Sequence, residues 1–404
     1  MNSTKGAMRN ILVINAGSSS MKYQLIDASS ETRRASGLIE RIGSGTGRVK
    51  HRTDDTAIGW ETPIADHSEA FTQLTQAFAD SGLPLDELGI VAVGHRVVQG
   101  GSEFVQPTVI DDRVSERILA LAELAPLHNP GHHRAIEAAR RTFPDVPHVA
   151  VFDTAFHQTM PEVAYTYAID PKVAAEHGVR RYGFHGISHE VVSRRAADLL
   201  GRPVTELNQI VLHLGNGASM CAVRGGVSVD TSMGLTPLEG LVMGSRSGDI
   251  DAGALLHLLR RGLSVAELDS ELNTRSGLVG MFGSNDMRDV RDAMARGDKA
   301  AQLAFDVYVH RLRHYLGAYL VELCGADTIV FTAGVGENHA PLREAVCAGL
   351  DWFGIEIDRA RNETPSDSAR VISSDASRVA ILVVPTDEET EIARQTAALA
   401  FSRN

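Results

Sequence analysis

The chain has 404 residues, 43% hydrophobic and 22% charged, proportions of a soluble globular protein with room for two or three domains. Lys and Arg number 39 against 51 Asp and Glu, a net charge of −12. That balance excludes the broad basic footprint that binds nucleic acid or anionic membranes, although a small anion needs only a local Arg and Lys cluster. Cys221, Cys324 and Cys347 show no CxxC spacing. Neither a structural zinc site nor a disulfide framework is expected, and a reducing cytoplasm fits best. The N-terminal stretch MNSTKGAMRNILVINAG holds only four consecutive apolar residues, too few for a secretory segment, and no run of 18 apolar residues occurs.

In chain order, ILVIN, IVAVG, HVAVFD, QIVLHLG, TIVFTAG and VAILVVP read as buried strands bounded by Gly, Pro or polar residues. Between them, SHEVVSRRAADLLG and DKAAQLAFDVYVHRLRHYLGAYLVELCG read as amphipathic helices. In the longer one Phe305, Val309, Leu312, Leu316, Tyr319 and Leu323 form one stripe, expected to face a core. The alternation predicts an α/β protein with largely buried sheets.

The first strand belongs to a short internal repeat. Residues 11–21 read ILVINAGSSSM and residues 209–220 read QIVLHLGNGASM. Asn15 matches His213, Gly17 matches Gly215, and Ser20-Met21 matches Ser219-Met220, with one residue inserted in the second copy. KYQLID and CAVRGG follow. Each half is therefore expected to open with a β-hairpin tipped by glycine and serine. Small residues bare the backbone N–H groups, which form an anion-binding nest. Lys22 after the first tip and Asn216 within the second favour phosphate.

Further along, Arg96 lies in VAVGHRVVQGG and Arg246 in GLVMGSRSGDID, flanked by Gly244 and Gly248. Glycines let a backbone approach a ligand, and guanidinium suits bidentate binding of carboxylate or phosphate. Asp249 and Asp251 stand close enough in sequence to pair with Arg246 instead. Asp153 ends HVAVFD, at the strand end where α/β ligands bind. His128 in LAPLHNPG and His185 in RRYGFHGISH are two of 16 histidines, most of which must be packing residues. TIVFTAGVGEN reads as a strand entering a glycine turn before the helix APLREAVCAGL. Neither a GxGxxG fingerprint nor a GxxxxGK[ST] P-loop occurs. In PTDEETEIARQT, which opens the last helix, Thr386 and Glu389 have capping-box spacing.

INAGSSSMK, GHRVVQGG, APLHNP, VFDTAFH, RRYGFHGISH, HLGNGAS, DTSMGLTPLEG, GSRSGDID, FTAGVGEN and PTDEE stand in this order from about residue 10 to 396. Together they resemble the acetate kinase family, of the superfamily that includes sugar kinases, heat-shock chaperone ATPases and actin. The resemblance implies two α/β domains with a duplicated ββαβαβα core of the ribonuclease H-like, actin-type ATPase fold, and an active cleft between them. The N-terminal domain would take 8–156 plus 387–404, and a nucleotide-binding domain 157–386. Asn15 and Glu388 would serve Mg²⁺, with Mn²⁺ as an alternative, and Ser18, Ser20 and Lys22 the phosphates. Arg96 and Arg246 would grip the acid and the phosphoryl group, Asp153 would organise the site, and His128 and His185 would support the transition state. Val98, Leu127, Phe184 and Pro237 would line the pocket for the methyl group. His213, Asn216, Gly217, Asp286, Arg288, Gly334, Gly336 and Asn338 would serve ATP or ADP. A homodimer is also implied. Gln99, Gly131-His132, Ile187 and Ser245 depart from the family's usual His, Asn, Thr and Thr.

The expected reaction is reversible transfer from ATP to acetate, giving acetyl phosphate. A carboxylic acid titrates near pH ~4–5, so the acceptor is already ionised and needs no base. Catalysis then consists of positioning and charge neutralisation. Direct in-line transfer is expected, with Asp153 orienting an arginine or the metal; a phosphoenzyme is the alternative. The rivals are a propionate or butyrate kinase with the same residues, a nucleotide-gated ATPase that phosphorylates no acid, and a sugar kinase. An ATPase switch has no need of an arginine clamp, and a sugar kinase needs a base.

Overall fold

The computed structural model describes residues 9–402. The N-terminal reading up to Met8 and the domain bounds at Met8, Arg403 and Asn404 lie outside the described residues. The chain forms two compact units, one taking the chain up to Ala155 and resuming from Asp387, the other spanning Phe156–Thr386. Among the described residues no helix is long and apolar enough to cross a membrane.

The first unit is built on an eight-stranded sheet. β1 (Asn10–Ala16), β2 (Ser20–Asp27), β3 (Arg33–Glu40), β4 (Thr46–Thr53) and β5 (Ala57–Pro63) form an antiparallel meander. β6 (Ile90–Val97) runs parallel to β1, and β7 (Thr108–Val109) pairs antiparallel with β8 (His148–Phe152), itself parallel to β6. The order is β5-β4-β3-β2-β1-β6-β8-β7. β1 is buried almost throughout because both faces are covered. Leu12 and Ile14 join a core with Ala70, Leu74, Ala135 and Ala139 of helices His67–Asp80 and Asn129–Thr142. The helix Glu388–Phe401 packs on β1, β6 and β8. β4 instead alternates exposed and buried residues, the mark of a strand with one open face.

The second unit carries a six-stranded sheet. β9 (Asn208–Leu214), β10 (Ala218–Arg224) and β11 (Val227–Thr231) are antiparallel, while β12 (Thr328–Thr332) and β14 (Ala380–Val383) run parallel to β9 and β12 respectively. β13 (Arg370–Val371) closes the order β11-β10-β9-β12-β14-β13. Helix Gly186–Leu200 packs Val191, Val192 and Ala196 against Val211 and Val330. The apolar stripe of helix Lys299–Glu322 is buried as its spacing predicts. The spatial orders β3-β2-β1-β6-β8 and β11-β10-β9-β12-β14 match in sequence and direction, so the core is duplicated. Each copy has a third antiparallel strand beyond the expected ββαβαβα.

Three local expectations change. Both hairpins form, but Ala16 pairs with Met21 while Leu214 pairs with Ala218. The second tip is thus one residue shorter than the first, and the two Ser-Met pairs are not equivalent. Lys22 opposes Asn15, and Ser219 opposes His213. After β12 there is no glycine turn: the chain reverses at Ala333 (φ 63°) straight into a short helix, Ala333–Asn338. Its last carbonyls, Gly336 and Glu337, are satisfied by the buried Arg343 at 2.8 and 2.9 Å. Lastly, the capping box at Thr386 does not form. Asp387 caps the final helix through Thr390 N, Thr386 bonds to Ser188, and Glu389 pairs with Lys22.

Candidate functional site

In the first unit, three parallel strands end together at the carboxyl edge of the sheet, where α/β folds bind ligands. Arg96 lies near the end of β6 and Asp153 directly follows β8. Asp153 receives two bonds from Arg96, from Nε at 3.0 Å and Nη2 at 2.5 Å. Asn15, near the end of β1, accepts from Nη1 at 3.2 Å, and Glu388, at the start of the last helix, lies 3.7 Å from Nε. Burial alone would weaken the Arg96 charge, but Asp153 and Glu388 more than offset it and raise its pKa. Glu388 is pushed up by burial first, against the pull of Arg96, with Glu389 adding to the rise and Lys22 opposing it. Lys22 itself is half-exposed and sits 2.5 Å from Glu389.

Beside this cluster lies the first hairpin tip. Ser18 is exposed and Ser20 partly so. The first turn of helix Asn129–Thr142 presses on the tip: a Cβ on Gly131 would stand 3.0 Å from Gly17 O, so a side chain there would make the tip give by a few tenths of an ångström. His128 caps this helix with its carbonyl, which accepts from Gly131 N and His132 N. Burial and then Arg96 push the imidazole of His132 down to about 3, so it is neutral. Gln99 is wholly buried and bonds to Gly101 N, while its backbone is tied to Asn129. Val98 is buried and Leu127 is 53% exposed.

The second unit gathers a different set. His185 precedes helix Gly186–Leu200 with a left-handed backbone (φ 57°), uncommon for a side chain with a Cβ and a signature of functional positions. Its ring stacks on His213 at 4.3 Å, and Nδ1 lies 2.9 Å from Ser219 Oγ. His213 Nδ1 bonds to Ser188 at 2.8 Å. A Cβ on Gly217 would stand 3.5 Å from His185 Nε2 and 3.6 Å from Arg246 Nη1, so ring and guanidinium border one spot above the second hairpin tip. Gly244 must lack a side chain because Asn216 Oδ1 fills the space, and its N–H donates to Asn216 O.

Arg246 contrasts with Arg96. Its Nη1 donates to Pro237 O at 3.2 Å, and burial alone lowers its pKa. Among the described residues no carboxylate pairs with it. Asp249 instead takes Gly240 N, Tyr315 OH and Arg311, and Asp251 caps helix Ala252–Arg260. The pairing that the sequence left open is therefore excluded. Phe184 is buried, at 1% exposure. Asp286 caps helix Met287–Ala295 and is clasped by the exposed Arg288. Gly334, Gly336 and Asn338 all lie on the short helix after β12, where Asn338 Nδ2 bonds to Gly334 O. Ile187 is buried, and Ser245 bonds to Asn273 O. Two contacts near these residues have no local signal in the sequence: Arg343, within a segment that reads as a helix, holds the end of the short helix after β12, and Ser219, within the repeat, meets His185.

Residues 10–394 match the model of the acetokinase family, almost the whole chain. The chain belongs to the acetokinase family. An acetate kinase of Leifsonia xyli subsp. xyli is 59% identical over 389 residues, covering 96% of this chain and 98% of that protein. Among solved structures, that of Porphyromonas gingivalis acetate kinase superposes with a TM-score of 0.91 at 40% identity, covering 97% of this chain and 99% of that one. A propionate kinase from Francisella tularensis also superposes at 0.91, with 41% identity over 97% and 100% of the two chains.

Proposed function

We propose that this member of the acetokinase family transfers the terminal phosphoryl group of ATP to the carboxylate of acetate, reversibly, giving acetyl phosphate and ADP. The observation that carries this is Arg246, a largely enclosed guanidinium with no carboxylate among the described residues to answer it. Such a charge is costly unless an anion joins it. Propionate kinase is the second reading, prompted by the Francisella structure. Acetate is preferred because the sequence relatives up to 59% identical are acetate kinases.

In the mechanism the acid arrives ionised and needs no base. Asp153, with both oxygens engaged by Arg96, orients that guanidinium and is badly placed to remove a proton. Arg246 and His185 stabilise the transferring group, with His128 in support, while Arg96 receives the acid. Val98, Leu127, Phe184 and Pro237 border its methyl group. Asn216, Gly217, His213, Gly334, Gly336, Asn338, Asp286 and Arg288 attend the nucleotide, and Ser18, Ser20 and Lys22 the phosphates. Mg²⁺ or Mn²⁺ would be held by Glu388 and Asn15 together with phosphate oxygens, neutralising their charge. That fits the donor set, because among the described residues no group of three His, Cys, Asp or Glu is gathered to bind a metal alone, and Mg²⁺ needs only one or two carboxylates beside phosphate. A cytoplasmic homodimer with Phe156–Thr386 as its nucleotide-binding domain completes the proposal.

The test is a hydroxylamine trap for acyl phosphate, run with ATP, Mg²⁺ and acetate, propionate or butyrate. Acetate should give the highest kcat/KM. A preference for propionate would replace the substrate and keep the kinase. ATP hydrolysis with no trapped acyl phosphate would sink the proposal. Label from ATP that stays on the isolated protein through gel filtration would favour a phosphoenzyme over direct transfer.

A further inference from the structure

His185 makes no capping bond to the helix it precedes. Its Nδ1 faces Ser219 Oγ at 2.9 Å, and the same hydroxyl lies 2.8 Å from Nε2 of His189. Ser219 and His189 are wholly buried, and Nδ1 of His189 has no hydrogen-bond partner. These contacts decide where the protons sit. A buried N–H without an acceptor costs about 1–3 kcal/mol, and such groups are rarer than unused lone pairs. The single proton of a neutral His189 therefore belongs on Nε2, pointing at Ser219. The hydroxyl proton then has one neighbour left, Nδ1 of His185. With Nδ1 accepting, His185 carries its own proton on Nε2.

We infer that Ser219 and His189 are positioning residues that hold His185 as its neutral Nε2–H tautomer, so that it offers the transferring phosphoryl group a hydrogen bond instead of a lone pair. The inference rests on the proposed contact between His185 and that group. Nε2, with its neighbour Cε1, lies on the side of the spot that Arg246 also borders, above Gly217, and is the one nitrogen of the ring there. The positive end of a 15-residue helix disfavours an imidazolium at this position. An imidazolium would also have to donate from Nδ1 to Ser219, leaving the hydroxyl proton without an acceptor. Burial keeps His189 neutral. His157, edge-on to His189 at 5.7 Å, does not compete for Ser219, because its nitrogens engage Ser228 and Phe184 O.

The experiment uses the full chain labelled with ¹⁵N-histidine, the His185 signal being identified by its loss in His185→Gln. Long-range ¹H–¹⁵N spectra at pH 7.5 should show the Nε2–H tautomer; the Nδ1–H tautomer or an imidazolium would overturn the relay. His189→Phe keeps a ring but removes the donor. Losing one transition-state donor outright costs roughly 10²–10³ in rate, so loosening one should lower kcat by about 10-fold with both KM values little changed. Ser219→Ala should do the same, and in both variants the His185 signal should become a tautomer mixture. His189→Gln places an N–H near the lost Nε2 and should restore kcat to within about threefold of wild type. Wild-type kcat in a folded His189→Phe, or an unchanged tautomer there, would defeat the inference. Wild-type turnover in His185→Gln would defeat the phosphoryl contact instead, while the spectra still judge the relay.

Discussion

Arg96 and Arg246 have the same charge in opposite surroundings, and their alanine variants should fail differently. Removing Arg246 orphans no acid, so Arg246→Ala should melt near wild type while turnover falls roughly 10²–10³-fold. Arg246→Lys should rescue poorly, because an ammonium lacks the planar fork. Removing Arg96 takes from Asp153, 1% exposed, the guanidinium that engages both its oxygens. Breaking such a pair costs about 3–5 kcal/mol, so Arg96→Ala should lose both stability and turnover. Kinetics paired with thermal melts separate the two; near-normal turnover in both variants would remove the clamp. Glu388 poses a related question, since it starts a helix and also faces Arg96. If it serves Mg²⁺, Glu388→Ala should raise the Mg²⁺ concentration needed for half-maximal rate. A role confined to the helix terminus predicts only about 0.3–1 kcal/mol of lost stability. A Mg²⁺ titration beside a melting curve decides.

At the scale of elements, the last helix is seated by a glycine. A Cβ on Gly94 of β6 would stand 2.4 Å from Thr396 Oγ1 and 2.9 Å from Ile392 Cγ2. Gly94→Val should push that helix away, costing about 1–3 kcal/mol, and should shift Glu388 and Glu389 with it. The expected result is a lower melting point together with weakened turnover. A stable Gly94→Val with wild-type kinetics would show that the helix does not need this seat. Strand identities were legible in the sequence because each core strand is an unbroken apolar run covered on both faces. The hairpin tips and the final cap were not. Spacing pointed to Thr386 as the cap, and only the fold shows Thr386 drawn to Ser188, 198 residues away, with Asp387 capping in its place.

Over the whole molecule, buried titrating groups set the response to pH. Burial holds His132 at about 3 and His157 at about 4. Both groups bind a proton in the unfolded chain below about pH 6.5 and in the folded chain only far lower. Their contribution is full above that pH and is lost as pH falls, at about 1.4 kcal/mol per unit for each, or roughly 2 kcal/mol each by pH 5. Asp230 works the other way. Burial raises it to about 6 despite Arg181, so its burial is penalised above that pH and relieved below it. The melting point should therefore fall from pH 7.5 to 5, because the buried histidines, His95 and His189 among them, outweigh the two raised carboxylates, Asp230 and Glu388. Asp230→Asn should raise it at pH 7.5, by an amount that shrinks towards pH 4.5. A flat or rising profile towards acid, or a destabilised Asp230→Asn at pH 7.5, would contradict these assignments.

The sequence by itself determined the α/β class, the core strands, the glycine positions around both hairpins and, through ten ordered motifs, the family. Those features are local: a run of Val and Ile or a glycine beside an arginine reads the same wherever the segment lies. Only the tertiary structure decided which charges answer one another. Arg96 finds Asp153 57 residues away because β6 and β8 end side by side. Arg246 finds no acid among the described residues, although two aspartates lie within five residues of it in sequence. Ser219 reaches His185 and His189 because β10 brings it beside the start of the helix Gly186–Leu200. Hydrogen bonds and ion pairs act over a few ångströms, and distance along the chain does not fix distance in space until register and packing are set.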